Sequence, residues 1–226
     1  MNFDAIAPYY RWLEMATFGN ALQRAQTRFI DKVDRPKHAL VIGEGDGRFL
    51  CDLLRVHPDL KVDCVDASRG MLKISRDRVR RRSPGCLARI RFLHADILTW
   101  SPNYSYDLFV THFLLDCFGA AEVKMIVEKI ARAASVDAIW LLADFTIPSG
   151  NVARINAKIW LWAMYAFFRA VANLETNSLI DPSQYLRENR FVCTQRAQLH
   201  VGMLKSELWR RVVNHPSQRV AASDGG

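Results

Sequence analysis

Between Val41 and Phe49 the chain reads Val-Ile-Gly-Glu-Gly-Asp-Gly-Arg-Phe, with three glycines at alternate positions behind the apolar run Ala39–Ile42. A continuous apolar run suits a strand covered on both faces, and glycine lets backbone approach a ligand that a side chain would hold off. The next segment, Arg48 to Val56, offers Phe49, Leu50, Leu53 and Leu54 for burial and stops at His57-Pro58, because proline cannot continue a helix. A buried strand, a glycine turn and a helix form one unit of a parallel sheet wrapped by helices.

The alternation continues. Val62–Val65 reads as a second strand with Asp66 at its C-terminal end, and Ser68 can cap a helix that carries Met71, Leu72 and Val79 inward before Ser83-Pro84-Gly85 stops it. Ile90–Leu93 predicts a third strand and Tyr106–Leu115 a fourth. Val123, Ile126, Val127 and Ile130 then share one helical face, and Ala138–Ala143 predicts a fifth strand. Beyond Pro148-Ser149-Gly150 a helical stretch is expected to about Asn173, then a short helix to Asn189 with Asp181 as cap and Pro182 at its first position. Two last strands, Phe191–His200 and Met203–Arg210, lie close enough to pair antiparallel.

The sum is an α/β chain with a doubly wound, mostly parallel, seven-stranded, Rossmann-like sheet and an N-terminal helical cap. With 226 residues, half of them apolar, the chain suits one large domain. We divide it into a single domain over 1–215 and a flexible tail over 216–226. Within the domain, 1–36 is a helical lid, 37–150 a cofactor-binding half and 151–215 a substrate-side half. Cys51, Cys64, Cys86, Cys117 and Cys193 are odd in number and scattered, which fits reduced thiols and neither a disulfide framework nor a metal site. The acidic start Met1-Asn2-Phe3-Asp4 lacks the basic residues of a signal peptide, so a cytoplasmic location is expected.

A helix N-terminus beyond the glycine turn supplies unpaired N–H groups and the positive end of a dipole, which suit a charged or polar ligand. Asp66 follows Gly47 by 19 residues, at the tip of the neighbouring strand, where an acid in such sheets receives ribose hydroxyls. A dinucleotide fingerprint spaces its glycines G-x-G-x-x-G. Here they run G-x-G-x-G with Arg48 next, which disfavours a pyrophosphate and a nicotinamide oxidoreductase and favours S-adenosylmethionine.

At these residues the chain resembles the class I S-adenosylmethionine-dependent methyltransferases, and more narrowly the ubiquinone and menaquinone C-methyltransferase group. The resemblance begins at Phe3-Asp4-x-Ile6-Ala7-x-x-Tyr10 and Phe18-Gly19 and continues through the glycine turn and Asp66. It takes in His94-Ala95-Asp96-Ile97, Tyr106 to Thr111, and Ala143-Asp144-Phe145-Thr146-x-Pro148, and so runs from Phe3 to about Arg211. It implies that Gly43, Gly45 and Gly47 lie against the methionine part of the cofactor and that Asp66 holds the ribose. Asp96 and Ile97 would flank the adenine, Ala67 and Met71 would pack near ribose and ring, Thr111 near the methionine end, and Tyr10 would close over the cofactor. S-adenosylhomocysteine would be the product. The chain departs from the family at Val41, where an acid is usual; Glu44 is the candidate replacement as partner of the methionine ammonium.

Methyl transfer from a sulfonium is an in-line displacement in which the protein positions the acceptor and excludes water. Thr111-His112-Phe113-Leu114-Leu115-Asp116 lacks the Asn/Asp-Pro-Pro-Tyr pattern of amine-methylating enzymes, which disfavours exocyclic amines and leaves oxygen or carbon acceptors. His112 is the candidate general base, with Asp116 beside it at the rim of the fourth strand. The run Ile159–Phe168 is apolar all round and would help wall a pocket for a small, apolar or aromatic acceptor, a lipid-like one included.

The net charge of +8 and the run Arg76, Arg78, Arg80, Arg81 and Arg82 would attract anions. We read the run as a solvated face, with peripheral membrane contact as its functional alternative and nucleic acid disfavoured, since no nucleic-acid module surrounds it. The competing functions are a nucleic-acid methyltransferase and a non-catalytic relative that serves as a partner protein. Monomer and homodimer both fit, and no metal is expected.

Overall fold

The apolar run ahead of the first glycine forms β1, His38–Ile42, whose last four residues are buried. The computed structural model describes residues 20–146 and 180–212. Tyr10, most of the expected lid, the helical stretch to Asn173 with its aromatic run, and the tail 216–226 lie outside the described residues.

From β1 the chain passes through α2 (Arg48–Val56), β2 (Lys61–Asp66), α3 (Arg69–Arg82) and β3 (Ile90–His94) to β4 (Tyr106–His112). Then come α4 (Ala120–Arg132), β5 (Ala134–Phe145), α5 (Ser183–Glu188), β6 (Phe191–Leu199) and β7 (Leu204–Arg211). A preceding helix, α1 (Ala21–Thr27), is the described part of the N-terminal cap. The sheet order is β3-β2-β1-β4-β5-β7-β6, with β1 to β5 parallel and β7 antiparallel to both β5 and β6.

Apolar residues cover both faces. Phe49, Leu50, Leu53 and Leu54 of α2 meet Val41, Val62, Val110 and Leu141 on one side. Val123, Ile126, Val127 and Ile130 of α4 meet Leu40, Phe109, Trp140 and Trp209 on the other. Leu22 and Ala25 of α1 pack with Ala143, Phe145 and Leu204 at the sheet's C-terminal rim.

Four local expectations are corrected. The fourth strand ends at His112 rather than Leu115: Phe113 turns to φ 51° while its N–H still reaches Ala143 O at 2.8 Å, and Leu115–Cys117 coils into a 3-10 turn. The fifth strand begins four residues earlier, at Ala134, where it pairs with Tyr106 across a bulge. Pro182 stands at the N-cap rather than the first helical position, and Asp181 receives both the N–H and the hydroxyl of Ser183. The sixth strand closes at Leu199, because His200, Val201 and Gly202 all take positive φ.

Candidate functional site

The order β2-β1-β4 places the switch in chain direction of travel between β1 and β4, and open α/β sheets bind ligands beyond the carboxyl ends of such neighbouring strands. The rim there is tied together by backbone. Gly43 N–H donates to Val65 O at 2.9 Å, and Ala95 N–H to Asp66 O at 3.1 Å. Above it lies a pocket lined by Gly45, Arg48, Phe49, His112 and Phe113, with Gln26 of α1 opposite.

Gly43, Gly45 and Gly47 have φ of 66°, 77° and 86°, the left-handed region that favours glycine. A Cβ on Gly45 would meet nothing within 4 Å, so the loop there faces open space. A Cβ on Gly47 would stand 2.8 Å from the Cα of Ser75, so this glycine is required by the approach of α3.

The side chains between the glycines turn inward. Glu44 is buried, its Oε1 accepting Leu50 N–H at 2.9 Å and its Oε2 the Ser75 hydroxyl at 3.1 Å. Burial pushes its carboxyl up to about 8. Asp46 is held from two sides: Arg48 donates its N–H and Nε to Oδ1, while Arg78 donates Nε to the Asp46 carbonyl at 2.6 Å and its terminal nitrogen to Oδ2 at 2.9 Å. Val41 is buried in the core.

Asp66 ends β2 half-buried, and its Oδ1 accepts Ser68 N–H at 2.8 Å. Ser68 in turn caps α3 by accepting Met71 N–H at 3.1 Å, so the expected cap is present. Ala67 is exposed beside Asp66, and Met71 is buried under it. Asp96 is exposed, with Leu98 N–H on its Oδ1, whereas Ile97 is buried and packs with Val65 and Ile42. Lys129 of α4 donates to three carbonyls of this turn, Ile97, Leu98 and Trp100, at 2.8 to 3.0 Å.

Thr111 and His112 point to opposite faces of β4. The Thr111 hydroxyl accepts the Trp140 indole N–H at 2.8 Å inside the core. His112 meets the Phe49 ring edge-on, centroids 4.5 Å apart, at the pocket, and burial pushes its imidazole down to about 3. Asp116, within the 3-10 turn, and Asp144, near the end of β5, are both buried. Burial raises Asp116 to about 6 and, with the Asp116 charge, lifts Asp144 well above the usual carboxylate range.

The structure thus gathers the glycine turn, His112 and Phe113 around one pocket, with Asp66, Ala67 and Asp96 along the same rim. Sequence reasoning missed Gln26, Ser75, Arg78 and Lys129. Arg78 was hidden in a run read as a solvated face, yet it shares the buried side of α3 with Met71, Ser75 and Val79, a spacing that was available. The rest of the run is exposed, Arg80 pairing with Asp77 at 3.3 Å and Arg76 lying over the Phe92 ring. All five cysteines are free. Among the described residues no helix is long and apolar enough to cross a membrane, and no group of acids, histidines and cysteines is arranged to hold a metal ion.

Residues 39–137 match the family model described as a methyltransferase domain. No curated protein sequence matches the chain. Among solved structures, an O-methyltransferase family protein from Burkholderia thailandensis superposes with a TM-score of 0.68 at 15% identity, covering 94% of this chain and 59% of its own. An O-methyltransferase family 2 protein from Planctomyces limnophilus, solved in complex with apigenin, gives 0.69 at 13%, covering 91% and 62%. The N-methyltransferase NodS from Bradyrhizobium japonicum, in complex with S-adenosylhomocysteine, gives 0.58 at 14%, covering 90% and 88%. The chain therefore spans about three fifths of the length of the first two, and it shares its Rossmann-like fold with all three.

Proposed function

We propose that the chain transfers a methyl group from S-adenosylmethionine to a small, apolar or aromatic acceptor, at oxygen in the first instance. The observation that carries this reading is the turn Gly43–Gly47: three left-handed glycines, open space in front of Gly45, and Asp66 on the adjoining strand tip. Backbone N–H groups suit a polar aminocarboxyl chain and a strand-tip carboxylate suits ribose hydroxyls, so these residues fit the cofactor. The glycine loop would hold its methionine half, Asp66 its ribose, and Ala67, Met71, Asp96 and Ile97 its adenine side. Glu44, engaged by α2 and α3, we assign to the loop's scaffold rather than to the methionine ammonium.

When bound, S-adenosylmethionine supplies a methyl carbon whose bond to sulfur breaks as the acceptor attacks in line, the sulfur keeping the electron pair. The chain's part is to orient the acceptor and take its proton. His112 is neutral across the physiological range and can accept the acceptor's O–H. An imidazole with a pKa near 3 is a weak base for a free alcohol, but an oxygen that has gained a methyl is a far stronger acid than imidazolium, so the proton passes to His112 as the C–O bond forms. Phe49 and Phe113 beside it give the acceptor an aromatic wall. The resemblance to the quinone C-methyltransferases keeps carbon acceptors of the same shape in the screen, and the N-methyltransferase among the structural neighbours is the reason to include amines as a control.

The test is calorimetric titration with S-adenosylmethionine and S-adenosylhomocysteine, a nicotinamide cofactor as control, followed by a methyl-acceptance screen of phenols, quinols and amines. Micromolar binding of both sulfur compounds with phenol or quinol methylation supports the reading. Binding without turnover on any acceptor favours the non-catalytic relative, and binding of neither sulfur compound overturns the proposal.

A further inference from the structure

Both acids between the glycines are held by one helix face. Ser75 donates its hydroxyl to Glu44, and Arg78, one turn further along α3, donates to both the carbonyl and the carboxylate of Asp46. Ser75 also presents its Cα to Gly47 so closely that no Cβ fits there. The Arg78 side chain is as buried as the Asp46 side chain it meets, 10% against 11% exposed, so this is a charge-assisted, two-point contact shielded from solvent rather than a loose surface pair. The same helix starts at Ser68, whose N–H is held by Asp66.

We infer that Arg78, seconded by Ser75, is a positioning residue that sets the glycine loop for the aminocarboxypropyl half of the cofactor, while the nucleoside half is set separately at Asp66. This rests on the proposed cofactor. Arg78 touches no ligand in this assignment. It fixes the carbonyl of Asp46 and thereby the peptide between Asp46 and Gly47, whose N–H bonds back to the Glu44 carboxyl, so the backbone course of the loop is set from both of its acids. A side chain that fills the same space without the two donors leaves helix and sheet in place and lets the loop sample other φ/ψ combinations, which three glycines at alternate positions make cheap. The loss then falls on ligands that have a methionine half and spares those that lack it.

The experiment compares S-adenosylhomocysteine with 5′-methylthioadenosine, which has the nucleoside and sulfur but no amino acid end. Wild type, Arg78→Met, Arg78→Lys and, as a surface control, Arg80→Met are titrated with both, and amide exchange over 43–48 is followed in the free proteins. The expected result is that Arg78→Met loses roughly tenfold in affinity for S-adenosylhomocysteine and about twofold or less for 5′-methylthioadenosine. Exchange over 43–48 should be faster in this variant, Arg78→Lys should recover part of the loss, and Arg80→Met should match wild type. Equal losses for both ligands would mean a merely structural role and overturn the inference, as would unchanged affinities. Wild type that binds neither ligand overturns the cofactor reading and this inference with it, an outcome distinguishable from the other two.

Discussion

Glu44 and His112 line the same pocket and respond to pH in opposite senses. Burial raises the Glu44 carboxyl to about 8 from an ordinary 4.5, so the folded state binds the extra proton and stability falls as pH rises between those values. Glu44→Gln, which keeps an acceptor for Leu50 N–H, is expected to gain on wild type in melting temperature by roughly 5 °C between pH 5 and pH 9. It should bind S-adenosylhomocysteine about as tightly as wild type, since its carboxylate serves α2 and α3. A gain that does not grow with pH would mean that the acid is ionised in the fold. His112 is pushed down to about 3 from 6.5, so here the unfolded chain binds the proton first and stability falls as pH drops through 6.5 toward 3. His112→Phe, which preserves the edge-on contact with Phe49, is expected to melt above wild type at pH 5 and to show no such gain at pH 8. Neither shift was legible in the sequence, which identifies a glutamate and a histidine but not the direction in which a loop turns them. The glycines and Asp66 were legible because their chemistry is in the backbone and at a strand tip.

At the scale of elements, periodicity located the strands and helices wherever one face is apolar, and α2 falls at its expected bounds, Arg48–Val56. It overran β4 because Phe113, Leu114 and Leu115 continue an apolar run that a single left-handed residue bends out of the sheet. It also missed the turn after β3, where the organising group is a lysine from a distant helix. Lys129 saturates its three N–H donors on the carbonyls of Ile97, Leu98 and Trp100, an arrangement with no local signal. Lys129→Met leaves those carbonyls without their cation and is expected to cost about 1–3 kcal/mol in urea unfolding. On the proposed reading it also weakens 5′-methylthioadenosine binding several-fold, because this turn flanks the adenine. Unchanged nucleoside affinity alongside reduced stability would assign the lysine to the fold alone.

For the whole molecule, backbone hydrogen bonds from Gly43 to Val65 and from Ala95 to Asp66 tie the tips of β1, β2 and β3 into one rim, so on the proposed reading a cofactor bound there stabilises the sheet as a unit. S-adenosylhomocysteine at a hundred times its dissociation constant contributes about 2.7 kcal/mol, which in a chain of this size raises the melting temperature by roughly 5–10 °C. A shift confined to one probe, such as tryptophan fluorescence without circular dichroism, would mean that the rim and the antiparallel end β7-β6 unfold apart. Glu44 and Asp46 spend their carboxyl groups on α2 and α3. A loop that offers its ligand backbone rather than carboxylate has no side-chain charge of its own with which to favour a sulfonium over a neutral thioether. On the proposed reading it grips spent cofactor about as firmly as fresh, and turnover will be paced by how fast the surroundings clear the by-product.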